Sequence, residues 1–74
     1  IAYDLASASS VSIQIYNLKG QLVRSYQPGS QPAGKYQIVF DGMDQHGQAV
    51  ASGVYFYRLK TADKQLQRKM ILMK

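Results

Sequence analysis

The chain predicts an all-β fold, a small antiparallel β-sandwich of about six or seven short strands. Three observations carry that prediction. Apolar residues recur with period two, as they do on strands with one buried face. Every alternating run is bounded by Gly, Pro, Ser, Asn or Asp, the residues that favour turns. No stretch has the 3.6-residue apolar period of a helix, and seventy-odd residues of this kind close as a small sandwich or barrel.

The elements follow in chain order. Ile1, Tyr3 and Leu5 alternate, and residues 6–10, rich in Ala and Ser, read as a loop. Val11, Ile13 and Ile15 alternate with Ser12, Gln14 and Tyr16, a half-buried strand. Asn17-Leu18-Lys19-Gly20 then turns the chain, with Gly20 supplying the conformation a tight turn demands. The return strand covers residues 21–26, with Leu22, Arg24 and Tyr26 facing opposite to Val23. Residues 27–34 contain both prolines and two glycines and read as a long surface loop. Residues 35–40 form a fourth strand that carries Tyr36, Ile38 and Phe40 on one face. After a loop over residues 41–52, residues 53–61 carry Tyr55, Tyr57 and Leu59 on one face and Val54, Phe56, Arg58 and Lys60 on the other. Thr61-Ala62-Asp63-Lys64 turns into the last strand, residues 65–73. There Met70-Ile71-Leu72-Met73 loses the alternation. A strand covered on both faces reads this way; so does a segment that another protein recognises, with Lys69 and Lys74 bracketing it.

Composition narrows the function classes. Seventy-four residues make one domain, near the lower limit for a self-sufficient core. With no cysteine there is neither a disulfide nor a thiolate metal site. No apolar run approaches the roughly 20 residues of a transmembrane helix. The chain begins at Ile1 without a charged-then-apolar leader, and the expectation is a C-terminal piece of a longer protein. The net charge of +5 invites a nucleic-acid reading. However, Lys19, Arg24, Lys35, Arg58, Lys60, Lys64, Arg68, Lys69 and Lys74 are spread along the chain. Solvated strand faces and protected edges account for that scatter, so no nucleic-acid partner is expected.

Chemistry-bearing residues are few. The chain lacks Cys, Glu and Trp, and its one histidine, His46, stands in a loop beside Gln45 and Gly47. A Ser/His/Asp triad would rest on that turn residue, so no catalytic residues and no enzyme activity are expected. Asp41 and Asp44 stand three apart in a glycine-bearing loop. A calcium loop needs six to eight oxygens and usually a bidentate Glu, whereas this stretch has two carboxylates with Met43 between them. Asp side chains more simply cap turns by accepting backbone N–H groups, so neither a metal nor a cofactor is expected. The six tyrosines raise the question of sugar stacking. Tyr3, Tyr36, Tyr55 and Tyr57 fall on core-facing positions, which leaves Tyr16, Tyr26 and Phe56 exposed and too dispersed in sequence to form a platform.

Five ordered blocks remain. They are Val11-x-Ile13-x-Ile15-Tyr16-Asn17-x-x-Gly20-x-x-Val23, Ala33-Gly34-x-Tyr36, Phe40-Asp41-Gly42-x-Asp44-x-x-Gly47, Ser52-Gly53-x-Tyr55-x-Tyr57-x-Leu59 and Lys69-Met70-x-Leu72-x-Lys74. Together they resemble the bacterial Ig-like domain typified by the flagellar hook-capping protein (FlgD-like), and the closely similar C-terminal sorting domains of type IX secretion substrates. Phe40 stands where that family often has tryptophan. The resemblance implies a compact Ig-like β-sandwich over residues 1–74, closing a larger secreted or cell-surface protein. Its framework would be Gly20, Gly34, Phe40, Asp41, Gly42, Asp44, Gly47, Gly53, Tyr55 and Tyr57. In the sorting branch the domain is a non-catalytic address that the outer-membrane secretion machinery recognises after the periplasm. Lys69, Met70, Ile71, Leu72, Met73 and Lys74 match that branch's short basic-apolar tail and would make the contact. The alternatives are an accessory module that packs on an upstream enzyme domain or binds polysaccharide, and a hook-cap-like structural domain that assembles through strand edges.

Overall fold

The alternating runs are realised as six strands in a computed structural model that describes residues 1–62 and 64–73. The strands are β1 (Ala2–Leu5), β2 (Ser9–Tyr16), β3 (Leu22–Gln31), β4 (Gly34–Gln37), β5 (Gly53–Lys60) and β6 (Gln65–Leu72). All pairings are antiparallel. β1 pairs with β4 in a two-stranded sheet, and the other strands form a four-stranded sheet in the order β3-β2-β5-β6. The all-β prediction holds, and no helix among the described residues is long and apolar enough to cross a membrane.

The core lies between the two sheets and has two parts. Tyr3 and Leu5 of β1 meet Val11 and Ile13 of β2 and Leu59 of β5. Ile15, Val23 and Tyr55 form the second part, with Phe40, Val50, Tyr57, Met70 and Leu72 packed against them. Ile1 and Tyr26 touch both parts. Ile13 and Ile15 are the largest fully enclosed side chains, and burying each contributes about 1.5–3 kcal/mol. Since β1 and β4 cover only the first part, residues on the long loop, Phe40 and Val50, complete the layer over the second.

Several sequence expectations need correction. Residues 27–31 are not loop: β3 runs on through Pro28 and Gly29 to Gln31. This is tolerable because β3 is an edge strand, where a proline costs no ladder bond on its outer side. The register jumps from Ile13↔Tyr26 to Val11↔Gly29, so Gln27 and Pro28 oppose the single residue Ser12 in a β-bulge. Gly29 has φ +81° there, a left-handed conformation that glycine adopts without penalty. A second irregularity opposes Ile15↔Arg24 and Tyr16↔Leu22 and leaves Val23 as the extra residue. Tyr26 pairs with core-facing Ile13, and the shift at Val23 brings Val23 onto the same side, so Tyr26 is half-buried and not exposed. Tyr16 and Phe56 are half-buried as well. The fourth strand ends at Gln37; Ile38 then exchanges two bonds with Ile1, from the Ile38 amide to Ile1 O (2.7 Å) and from the Ile1 terminal nitrogen to Ile38 O (2.8 Å), before the chain leaves the sheet.

The final strand gives the largest departure. Met70-Ile71-Leu72-Met73 reads in sequence as a strand covered on both faces or as a recognised segment, yet β6 is an edge strand with mostly exposed residues, which rules out the first. Only Met70 and Leu72 reach the core, whereas Ile71 and Met73 are 66% and 85% exposed. Its loss of alternation therefore reflects an apolar outer face and not burial on both sides.

Candidate functional site

Two features could carry function: the loop between β4 and β5, and the β6 edge. The loop is built by its aspartates. Asp41 Oδ1 accepts the Met43 amide (3.0 Å) and the Arg24 guanidinium (2.9 Å), and the same Arg24 nitrogen also donates to Met43 O at 3.1 Å. Asp44 Oδ1 accepts the His46 and Gln48 amides, both at 2.9 Å. Two backbone bonds close that turn, from the Asp44 amide to Gln48 O (2.8 Å) and from the Gly47 amide to Asp44 O (3.1 Å). Turn capping is thus the use these carboxylates have. The Gln48 amide, and with it the His46 amide, holds the Asp44 carboxyl below its ordinary range. His46 is exposed at the tip.

Gly42 is buried with φ +75°, and its carbonyl accepts the Val50 amide (2.9 Å), which draws the two arms of the loop together. A side chain there would be strained. Phe40 meets Tyr55 edge-on, with ring centroids 6.2 Å apart, and the Tyr55 hydroxyl donates to Ala51 O at 2.6 Å. Phe40, Asp41, Gly42, Asp44, Gly47 and Tyr55 therefore form one structural unit that ties the loop to the sheet. Gly53 opens β5 and half-buried Tyr57 packs against the second part of the core, whereas Gly20 and Gly34 lie elsewhere, in the β2–β3 turn and at the start of β4.

The loop has a second effect. The Gln45 amide donates to Val23 O (2.9 Å), and Gln45 Oε1 accepts the Ser25 amide (2.9 Å), both on the outer side of β3. One edge of the four-stranded sheet is thereby covered. At the opposite edge, among the described residues, no other segment bonds to the outer side of β6. Lys69, Met70, Ile71, Leu72 and Met73 lie along this free edge, and Lys74 lies outside the described residues. Sequence reasoning missed this asymmetry because Gln45 carries no motif signal. Its role exists only once the loop has folded back onto β3.

A two-layer antiparallel sandwich whose long loop is pinned by an Asp-Gly-x-Asp turn matches the family model for the FlgD Ig-like domain over residues 1–65. The chain belongs to the FlgD Ig-like domain family. Among solved structures, the crystal structure of FlgD from P. aeruginosa superposes on this FlgD-like domain with a TM-score of 0.76 at 28% identity. The superposition covers 96% of this chain and 57% of that protein, so the domain spans little more than half the length of its relative. No curated protein matches the chain. The family match ends at the first residue of β6, so the free edge lies almost wholly outside it.

Proposed function

We propose that this FlgD-like domain is a non-catalytic docking module that presents β6 to a protein partner. In its finer form, it is a C-terminal sorting and anchoring domain that the outer-membrane secretion machinery of the type IX system recognises. Its cargo, the upstream part of the parent protein, passes through the periplasm to the cell surface or the medium. One observation carries this reading: the β3 edge is covered by Gln45, whereas among the described residues no segment pairs with the outer side of the β6 edge, which bears exposed Ile71 and Met73 beside Lys69. Unpaired backbone N–H and C=O groups accept an added strand, and alternate side chains provide the specificity. Left unprotected, such an edge would also be an aggregation liability. Arg68 and Lys69 oppose self-pairing there by like-charge repulsion.

The test fuses residues 1–74 to a reporter enzyme in a bacterium with type IX secretion. The reporter is expected outside the outer membrane, and deletion of residues 69–74 is expected to trap it in the periplasm. A reporter that stays periplasmic, or a deletion without effect, rejects the reading.

A second reading is favoured by the family membership and by the likeness to P. aeruginosa FlgD. It holds that the domain is a structural part of a hook-cap-like assembly. That role requires self-association through strand edges, so light scattering at micromolar concentration separates the two. The sorting reading expects a monomer, and the assembly reading expects a defined oligomer.

A further inference from the structure

The outer face of the four-stranded sheet, away from the core, brings together residues that are scattered in sequence. Residues directly opposite on neighbouring strands share a face. The registers set Gln14 of β2 against Arg58 of β5 and Arg58 against Gln67 of β6. One row along, Tyr16 stands against Phe56, and Phe56 against Lys69. The result is a grid of two rings, two cations and two amides across three strands. Tyr16, Phe56, Arg58 and Gln67 line one shallow concavity.

The grid is internally ordered. The Arg58 guanidinium lies over the Tyr16 ring, 5.5 Å from its centroid. The Tyr16 hydroxyl donates to Gln14 Oε1 at 2.8 Å, which holds the ring in place and leaves the Gln14 amide hydrogens to donate outward. Arg58 Nε is buried and has no hydrogen-bond partner, and among the described residues no carboxylate pairs with this guanidinium. Asp4 belongs to the other sheet, and Asp41 and Asp44 to the loop beside β3. Among the described residues, the cations of this face therefore lack a counter-charge.

We propose that this face binds an acidic glycan, with Phe56 and the Arg58–Tyr16 stack receiving the flat side of the sugar rings. Arg58 and Lys69 take uronate carboxylates, and Gln14 and Gln67 bond the hydroxyls. The chemistry matches group by group: an aromatic surface suits the apolar side of a pyranose, and a planar guanidinium suits a carboxylate in a two-pronged hydrogen bond. Charge complementarity selects an acidic glycan over a neutral one. An acidic peptide fits less well. The backbones of β2 and β5 are paired on both sides, so the centre of the face offers no main-chain groups for strand addition. This inference shares Lys69 with β6 edge docking, but its centre, Tyr16, Phe56 and Arg58, lies on β2 and β5 and takes no part in that contact.

Affinity measurements on the 74-residue chain, with polygalacturonate as probe and at about 0.15 M salt so that diffuse attraction is screened, test it. Binding is expected to polygalacturonate and to be at least about tenfold weaker to neutral dextran. Arg58→Gln and Phe56→Ala are each expected to weaken it about tenfold or more. If Phe56→Ala lowers the melting temperature, Phe56→Leu supplies the test, since it keeps most of the volume without the flat ring. Absence of polygalacturonate binding overturns the proposal. Equal affinity for poly-glutamate or duplex DNA, unaffected by loss of the Phe56 ring, also overturns it, by reducing the face to a nonspecific cationic surface.

Discussion

Replacing Tyr55 by alanine tests the link between the loop and the core most directly. Tyr55 is buried, packs with Ile15 and Val23, meets Phe40 edge-on and bonds Ala51 O through its hydroxyl. Truncating a buried aromatic residue to alanine costs about 3–5 kcal/mol. A domain of 74 residues has a total stability of about 4–11 kcal/mol, so the variant loses a large share of it. For a chain of this size, a loss of about 3 kcal/mol lowers the melting temperature by at least about 12 °C. The contributions can be separated. Tyr55→Phe keeps the ring and removes only the hydrogen bond to Ala51 O, at about 0.5–1.5 kcal/mol. Phe40 is half-buried, so Phe40→Ala falls below the full range for a buried ring. A double-mutant cycle on Phe40 and Tyr55 is expected to give a coupling of about 0.5–1.5 kcal/mol, the usual worth of an aromatic pair beyond its area. Urea unfolding followed by circular dichroism measures all four species. A Tyr55→Ala loss below about 1 kcal/mol, or no coupling with Phe40, would refute both the β5 register and the anchoring of the loop.

The remaining predictions concern three other positions. Asp44 titrates lower in the folded chain than in the unfolded one, so its contribution is full above the unfolded value near 3.9 and is lost as pH falls through the folded value. Hydrogen exchange of the His46 and Gln48 amides is therefore expected to lose protection below about pH 4; in Asp44→Asn, whose side-chain oxygen still accepts those amides, it should not depend on pH in that window. The Tyr26 hydroxyl is buried without a hydrogen-bond partner, and burial pushes its ionisation up. Tyr26→Phe is thus expected to be neutral or stabilising in urea unfolding, because no bond is lost and a desolvated polar group is removed. Gly29→Ala is expected to destabilise by about 1–2 kcal/mol through its left-handed backbone alone, since nothing lies within 4 Å of the added methyl group. A neutral result there would remove the bulge from β3.

Local patterning decided a good deal by itself. Alternation in residues 11–16 and 53–60 put Val11, Ile13, Ile15, Tyr55 and Leu59 in the core, because a pleated strand can send alternate residues to only one face. Turn chemistry identified the loop unit as well: Asp41 and Asp44 cap amides two and four residues away, a short-range interaction visible in the spacing. What failed was whatever depended on which strand lies beside which. Pro28 and Gly29 argue for a loop unless β3 is known to be an edge, where a proline and a bulge are tolerated. Strict alternation put Tyr26 on the face opposite to Val23, and only the register shift at Val23 lets both reach the core. The apolar run at residues 70–73 has the same composition whether a strand is covered on both faces or lies open at an edge. Sheet order alone decides between these, because the neighbours that would cover the strand come from distant parts of the chain. Tertiary structure likewise brought Tyr16 opposite Phe56, forty residues further on, and carried Gln45 to the far side of β3. Period and turn chemistry act within a few residues and can be read from the sequence; the free edge and the aromatic face depend on long-range pairing and become visible only in the folded sheet.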